Sequence, residues 1–278
     1  MRLLVFLMLW VVLQACYEEQ EGCLDRNATN YEVDADFECA ERSCCDYPRL
    51  GIRYTPLWGV DTLDNSLFYQ DGLGNDFRLD RLRFYISEVQ LQQRSGDTLT
   101  PQNPIEFGLE LSPGDTTFST LNSNLALVRS QVGDRWNVGD FIEAVDATAL
   151  YFRLGLQAPY SFAVPETMSS DHPLARQEGL LNFSDGLGYL MGKLEFSLVS
   201  TPGDTLAREI NFYGNESIQL PLAGGVVLPG GNNLTIDLGV DYQALLSSLD
   251  LAADSLILVD ELRMGLPQVF TYTDFNDE

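Results

Sequence analysis

The chain has 278 residues, 41 acids against 16 bases, a formal charge of −25 and a single histidine. That charge repels polyanions and excludes nucleic acid as a partner, and one histidine is too few for a histidine-built zinc centre or a metalloprotease helix. A hydrophobic content of 45% is that of a globular protein, and the acids are scattered rather than blocked, a pattern that serves solubility.

Residues 1 to 15 read MRLLVFLMLWVVLQA: a basic Arg2, an apolar run from Leu3 to Leu13, and a small Ala15 before Cys16. This is the layout of a secretory signal, and the run is shorter than the roughly 20 apolar residues a spanning helix needs. Leu13-Gln14-Ala15-Cys16 resembles the lipobox of bacterial lipoproteins, whose cysteine receives diacylglycerol and begins the mature chain. Cys16 is therefore the expected lipidation site, and its acyl chains are the expected hold on the bilayer. Residues 16 to 21 form an acidic tether, in which Tyr17-Glu18-Glu19-Gln20-Glu21 resembles the signal that sends Bacteroidota lipoproteins to the outer face of the outer membrane. Exposure at the cell surface is the expectation.

Residues 22 to 48 hold Cys23, Cys39, Cys44 and Cys45 among seven carboxylates. Four thiols in an oxidising compartment predict two disulfides. A bridge between the neighbours Cys44 and Cys45 demands poor geometry, so Cys23 is expected to pair with one of them and Cys39 with the other, with the choice left open. Zinc wants paired C-x-x-C knuckles or nearby histidines, and the segment has neither. It is expected to be a stapled spacer between lipid and body.

The body, residues 49 to 278, alternates apolar and polar residues at strand spacing: Ile105, Phe107, Leu109 and Leu111; Leu150, Phe152, Leu154 and Leu156; Leu194, Phe196 and Leu198; Ile218, Leu220 and Leu222; Leu234, Ile236, Leu238 and Val240. In RLRFYISEVQLQQRSGDTLT the phase slips between Leu82, Phe84, Ile86 and Val89, Leu91, which predicts either a bulge near Ser87-Glu88 or burial on both faces. Ser95-Gly96-Asp97 predicts a hairpin tip. The best helix signal is DYQALLSSLDL, with Asp241 as N-cap and Leu245, Leu246 and Leu249 on one stripe; GDFIEAVDATAL holds a weaker one. The expected fold is all-β, an antiparallel β-sandwich with a small N-terminal disulfide-stapled module.

Enzyme signatures are absent: there is no G-x-S-x-G, Walker A or C-x-x-C, and the glycines of GLGYLMG, 186 to 192, run into a strand instead of opening a helix. The expectation is a protein that is not an enzyme. Asp34, Asp36 and Glu38 in DADFE, and Asp71 and Asp76 in DGLGND, place acids at alternating positions that suit calcium without matching the EF-hand loop. The N-x-S/T sequons at Asn27, Asn182, Asn215 and Asn233 are incidental in a bacterial lipoprotein.

Two resemblances cover most of the chain. Gly22-Cys23, Asp25, Ala28, Asn30-Tyr31 and Ala35, with the cysteines from Cys39 to Cys45, resemble a short "GC-x-D" module near the N-termini of many Bacteroidota surface proteins. LDRLRFYISEVQLQQRSGD, LYFRLGL, DHPLA, GYLMGKLEF and LTIDLGVDYQALL, in that order, make the body similar to the MbnP-like family of methanobactin-associated copper-binding proteins and their lipoprotein relatives. That resemblance implies an extracytoplasmic β-sandwich and copper. Copper binders of the family use histidines and a modifiable tryptophan, whereas Phe183, Asp185 and Tyr213 stand here where tryptophans and a histidine are expected. His172 keeps a candidate ligand, which the thioethers of Met168 and Met191 would join for Cu(I).

The leading expectation is a non-enzymatic outer-membrane surface lipoprotein acting as a binding module. The alternatives are copper trafficking through a degenerate site at His172, with a redox or surface protein as partner, and a calcium-stabilised adhesin or glycan binder that uses Trp58, Trp136, Tyr160 or Tyr189.

Overall fold

A computed structural model describes residues 19–277, except 113, 132, 177–180, 182–187 and 202–203. The expected leader and the expected lipidation site Cys16 lie outside the described residues, as do Asn182, Phe183 and Asp185.

The N-terminal module pairs β1 (Glu21–Gly22) with β2 (Phe37–Glu38) in parallel and adds one 3₁₀ turn at Ala40–Arg42. Its bridges are Cys23–Cys45 and Cys39–Cys44, with sequence separations of 22 and 5, so neither joins the adjacent pair. The residues of the GC-x-D pattern account for the local fold. Asp25 accepts hydrogen bonds from Asn27 N–H, Arg42 Nη1 and Tyr47 Oη, while Asn30 donates to Cys44 O and accepts from Asp46 N–H. A Cβ on Gly22 would lie 2.8 Å from the Ala35 Cβ, so both positions must be small. The module is also docked rather than loosely strung. A Cβ on Gly230 would meet Asn27 Oδ1 at 2.2 Å, and one on Gly231 would meet Ala28 O at 3.1 Å, which seats the staple on the 229–233 turn of the body.

The body begins with β3 (Arg49–Trp58), then β4 (Asp61–Thr62), β5 (Tyr69–Gln70), the 18-residue β6 (Asp76–Gln93) and β7 (Thr98–Leu99). The hairpin of β8 (Pro104–Ser112) and β9 (Asp115–Asn122) follows, then β10 (Leu125–Arg129), β11 (Asp134–Asp140) and β12 (Val145–Leu154). After a long connection come β13 (Gly192–Thr201), β14 (Asp204–Phe212), β15 (Glu216–Leu228), β16 (Leu234–Asp241), α1 (Tyr242–Leu246), α2 (Ser255–Gly265) and β17 (Phe270–Asp277).

One sheet runs β11-β3-β16-β17 with β4 on β3; the other runs β14-β13-β6-β12-β15 with β5, β7 and β10 also on β6. Their inner faces share a core of alternating residues, among them Leu50, Ile52 and Tyr54 of β3, Leu194 and Phe196 of β13, and Leu234, Ile236 and Leu238 of β16. This is the expected sandwich, with one departure: β3 and β16 pair in parallel, Leu50 opposite Leu234. The slip in β6 is a bulge. Glu88 has φ 54°, and Leu82, Phe84, Ile86, Val89 and Leu91 all reach the same core, because the extra residue resets the period of two. Gly96, at φ 98°, turns β6 into β7 at the expected tip.

Asp241 caps α1, accepting from Gln243 N–H and Ala244 N–H at 2.9 and 3.2 Å. GDFIEAVDATAL resolves instead into strand from Val145 onward. A second apolar cluster sits on the other face of β6 and β10, where Tyr85, Leu125 and Leu127 are covered by Phe107 and Leu109 of β8 and by Leu156, Leu174 and Tyr189 of the long connection. This extra layer carries His172.

Candidate functional site

The connection after β12 is built from glycine, proline and aromatic side chains. Gly155, at φ 88°, donates to Tyr85 O and turns the chain off the sheet. The 3₁₀ turns Tyr160–Phe162 and Pro165–Thr167 then cross β8, where Val164 N–H donates to Gly108 O at 2.8 Å. Three tyrosine hydroxyls lash the segment down: Tyr160 to Asn122 O, Tyr85 to Pro173 O and Tyr189 to Leu174 O, at 2.8, 3.2 and 2.7 Å. His172 sits at the end of this strapped segment, half-buried.

Both imidazole nitrogens are engaged. Leu174 N–H donates to Nδ1 at 3.1 Å, which places the proton on Nε2, and Nε2 donates to Ser123 Oγ at 2.8 Å. The ring meets Phe107 edge to face, centroids 5.6 Å apart. Burial pushes its pKa down to about 4, against the opposing pull of Asp171, so the imidazole is neutral at pH 7.

Copper, implied by the resemblance, does not fit these residues. A metal needs an imidazole lone pair, and the one His172 offers is taken by a backbone amide. Met191 is 1% exposed within the main core, whereas Met168 packs against the second cluster, so the two thioethers belong to different clusters. Among the described residues, the only three His, Cys, Asp or Glu ligand atoms lying within 4.8 Å of one another are those of Cys39, Cys44 and Cys45, all consumed by disulfides.

The acids considered for calcium are also apart or occupied. Asp71 is 6% exposed, and its carboxylate accepts from Leu73 N–H, Asn75 N–H, Asn75 Nδ2 and Leu251 N–H at 2.8–2.9 Å. It fastens the β5–β6 turn to the segment after α1. Asp76 accepts from Gln70 Nε2, Asp36 from Gln20 N–H, and Glu38 pairs with Arg42, while Asp34 is exposed. Of the aromatics, Trp58 stacks on Tyr69 at 3.9 Å, and Tyr160 and Tyr189 are the straps described above.

Beside His172 lies a cavity of about 380 Å³. The end of β10 contributes Arg129, the start of β11 contributes Asp134, Arg135 and Trp136, and the strapped segment contributes Asp171 and His172. Trp136 is fixed by stacking on Tyr54, centroids 4.6 Å apart and planes within 11°. Tyr54 Oη in turn accepts from Arg129 N–H at 3.0 Å. Sequence reasoning reached His172 and Trp136 singly but missed the two arginines, which only the pairing of β10 with β6 and of β11 with β3 brings there.

No curated protein matches the chain. Among solved structures, MbnP from Methylosinus trichosporium aligns with 11% identity and a TM-score of 0.45, over 75% of this chain and 81% of that one. The MbnP family model matches residues 47–260, from the last residues of the stapled module into α2. With that match covering well over half of its length, the chain belongs to the MbnP family.

Proposed function

We propose that the chain is a non-enzymatic lipoprotein of the outer-membrane surface, acylated at Cys16, whose MbnP domain binds a small ligand in the cavity beside His172. The leader and lipobox sequence support the anchor, and the two disulfides suit an exported protein. Among the described residues no helix is long and apolar enough to cross a membrane.

The observation that carries the binding reading is the cavity itself. Its volume falls in the range of small-molecule sites, and its wall is held by stacking and strapping rather than left to mobile loops. His172 serves as a neutral strut in that wall.

A thermal-shift screen of small polar metabolites tests this, run on the wild type beside Ser170→Trp, which projects an indole into the cavity from an exposed rim position. Ligands that stabilise the wild type and not the variant are expected. Stabilisation that survives the substitution, or a screen with no response, would overturn the assignment.

A further inference from the structure

We propose that the cavity is selective for a small organic carboxylate, with Arg129 as the cation that binds it; the proposal rests on the cavity being the binding site. Lys193 of β13, Arg83 of β6 and Arg129 of β10 stand directly opposite one another across three neighbouring strands. Like charges in register destabilise a sheet, so such a row persists where anions offset it.

Two of the three have their anions in the fold. Lys193 Nζ pairs with Glu209 at 2.8 Å, and Arg83 Nη2 approaches Glu195 at 3.5 Å. Arg129, at the end of the row, differs. Its backbone N–H is used by Tyr54, while its guanidinium has neither ion pair nor hydrogen-bond acceptor among the described residues. Of the three bases in the row, the one without an anion among the described residues lines the cavity.

The remaining groups narrow the ligand class. A guanidinium presents a planar fork that matches a carboxylate with two parallel hydrogen bonds. Asp134 and Asp171 also line the cavity, so a dianionic phosphate would meet more repulsion there than a monoanion would. Trp136, with one face taken by Tyr54, gives the body of the ligand an apolar wall. The volume of about 380 Å³ admits a ring-bearing acid of monosaccharide size.

The test is calorimetric titration of the full chain with glucuronate, its neutral methyl ester, benzoate and glucose, repeated on Arg129→Gln and Ser170→Trp. Binding of a free acid that weakens at least 10-fold for the ester and for Arg129→Gln, and disappears in Ser170→Trp, is the expected result. An acid and ester that bind equally and ignore Arg129→Gln would overturn the carboxylate assignment. If that binding were still lost in Ser170→Trp, the cavity would stand as a site for neutral ligands. No heat from either acid would likewise overturn the carboxylate proposal, and a neutral hit sensitive to Ser170→Trp would again leave the cavity reading intact. Arg129 is exposed and its guanidinium has no partner among the described residues, so Arg129→Gln is expected to fold as the wild type does, which matching melting temperatures without ligand would check.

Discussion

Replacing His172 with glutamine should flatten one part of the protein's acid response. The imidazole is held down to about 4 from an ordinary 6.5, mainly by burial. A histidine with a depressed folded-state pKa is protonated first in the unfolded chain. Its contribution is therefore complete above about pH 6.5 and is lost as pH falls toward 4. At about 1.4 kcal/mol per pH unit, the interval from 6.5 to about 4 corresponds to roughly 3 kcal/mol, which partial exposure of the ring reduces to about 2. Glutamine keeps a donor for Ser123 and an acceptor for Leu174 N–H but does not titrate. Urea unfolding at pH 7.5, 5.5 and 4.0 should therefore show the wild type losing about 2 kcal/mol more than His172→Gln across the series. Background carboxylates cancel in that difference. A difference that stays flat with pH would refute the claim that His172 is a buried neutral strut.

Asp71→Ala should cost about 3 kcal/mol, since it strands the buried Leu251 N–H and frees the β5–β6 turn; calcium and EDTA should leave the wild-type melting temperature unchanged, and a calcium-dependent rise would contradict the assignment of Asp71 as a fastener. Burial alone would raise the Asp71 pKa, but its bonds from Asn75, Leu251 and Leu73 outweigh this and hold it below the ordinary carboxylate range. Its stabilisation is therefore present above pH 4 and lost as acid protonates it, which a comparison of acid unfolding with Asp71→Ala will measure. Opening Cys23–Cys45 by paired serine substitution should destabilise the module by about 3 kcal/mol and opening Cys39–Cys44 by about 2, following the loop sizes of 22 and 5; local proteolysis of residues 22 to 48 reads this out, and equal resistance of both variants would contradict it. In a bacterial host that acylates lipoproteins, Cys16→Ser should move the protein from the membrane to the soluble fraction, and unchanged fractionation would remove the anchor.

How far the sequence could be read followed the range of the interactions involved. Strand alternation in β13 and β16, the bulge at Glu88, the turn at Gly96 and the cap at Asp241 depend on neighbours a few residues away, and each is visible in order along the chain. Helix α2 carries similar local signals, Asp254 bonding Leu256 N–H and buried Leu258 and Leu262 one turn apart, yet its exposed Leu256 and Ile257 blur the stripe. The two disulfides followed from compartment and geometry, but the choice of Cys45 for Cys23 depended on how Asp25 and Asn30 fold the segment. The parallel pairing of β3 with β16 joins residues some 184 apart in sequence, and no local pattern encodes it. The cavity lies at the same remove. Arg129 is one arginine at the end of LALVR until β10 pairs with β6 and sets it opposite Arg83. His172 looked like a metal ligand because its partners, Ser123 Oγ and the Leu174 amide, are invisible until the long connection is laid across β8.

Whether His172 braces the proposed ligand cavity instead of holding copper can be read directly: because the chain has one histidine, nitrogen NMR of ¹⁵N-histidine-labelled protein needs no assignment. The expected result is a neutral ring protonated at Nε2, a titration midpoint near 4, and ring signals unaffected by one equivalent of Cu(I) or Cu(II). A proton on Nδ1, a midpoint near 6.5, or ring signals selectively shifted or broadened by stoichiometric copper would contradict it.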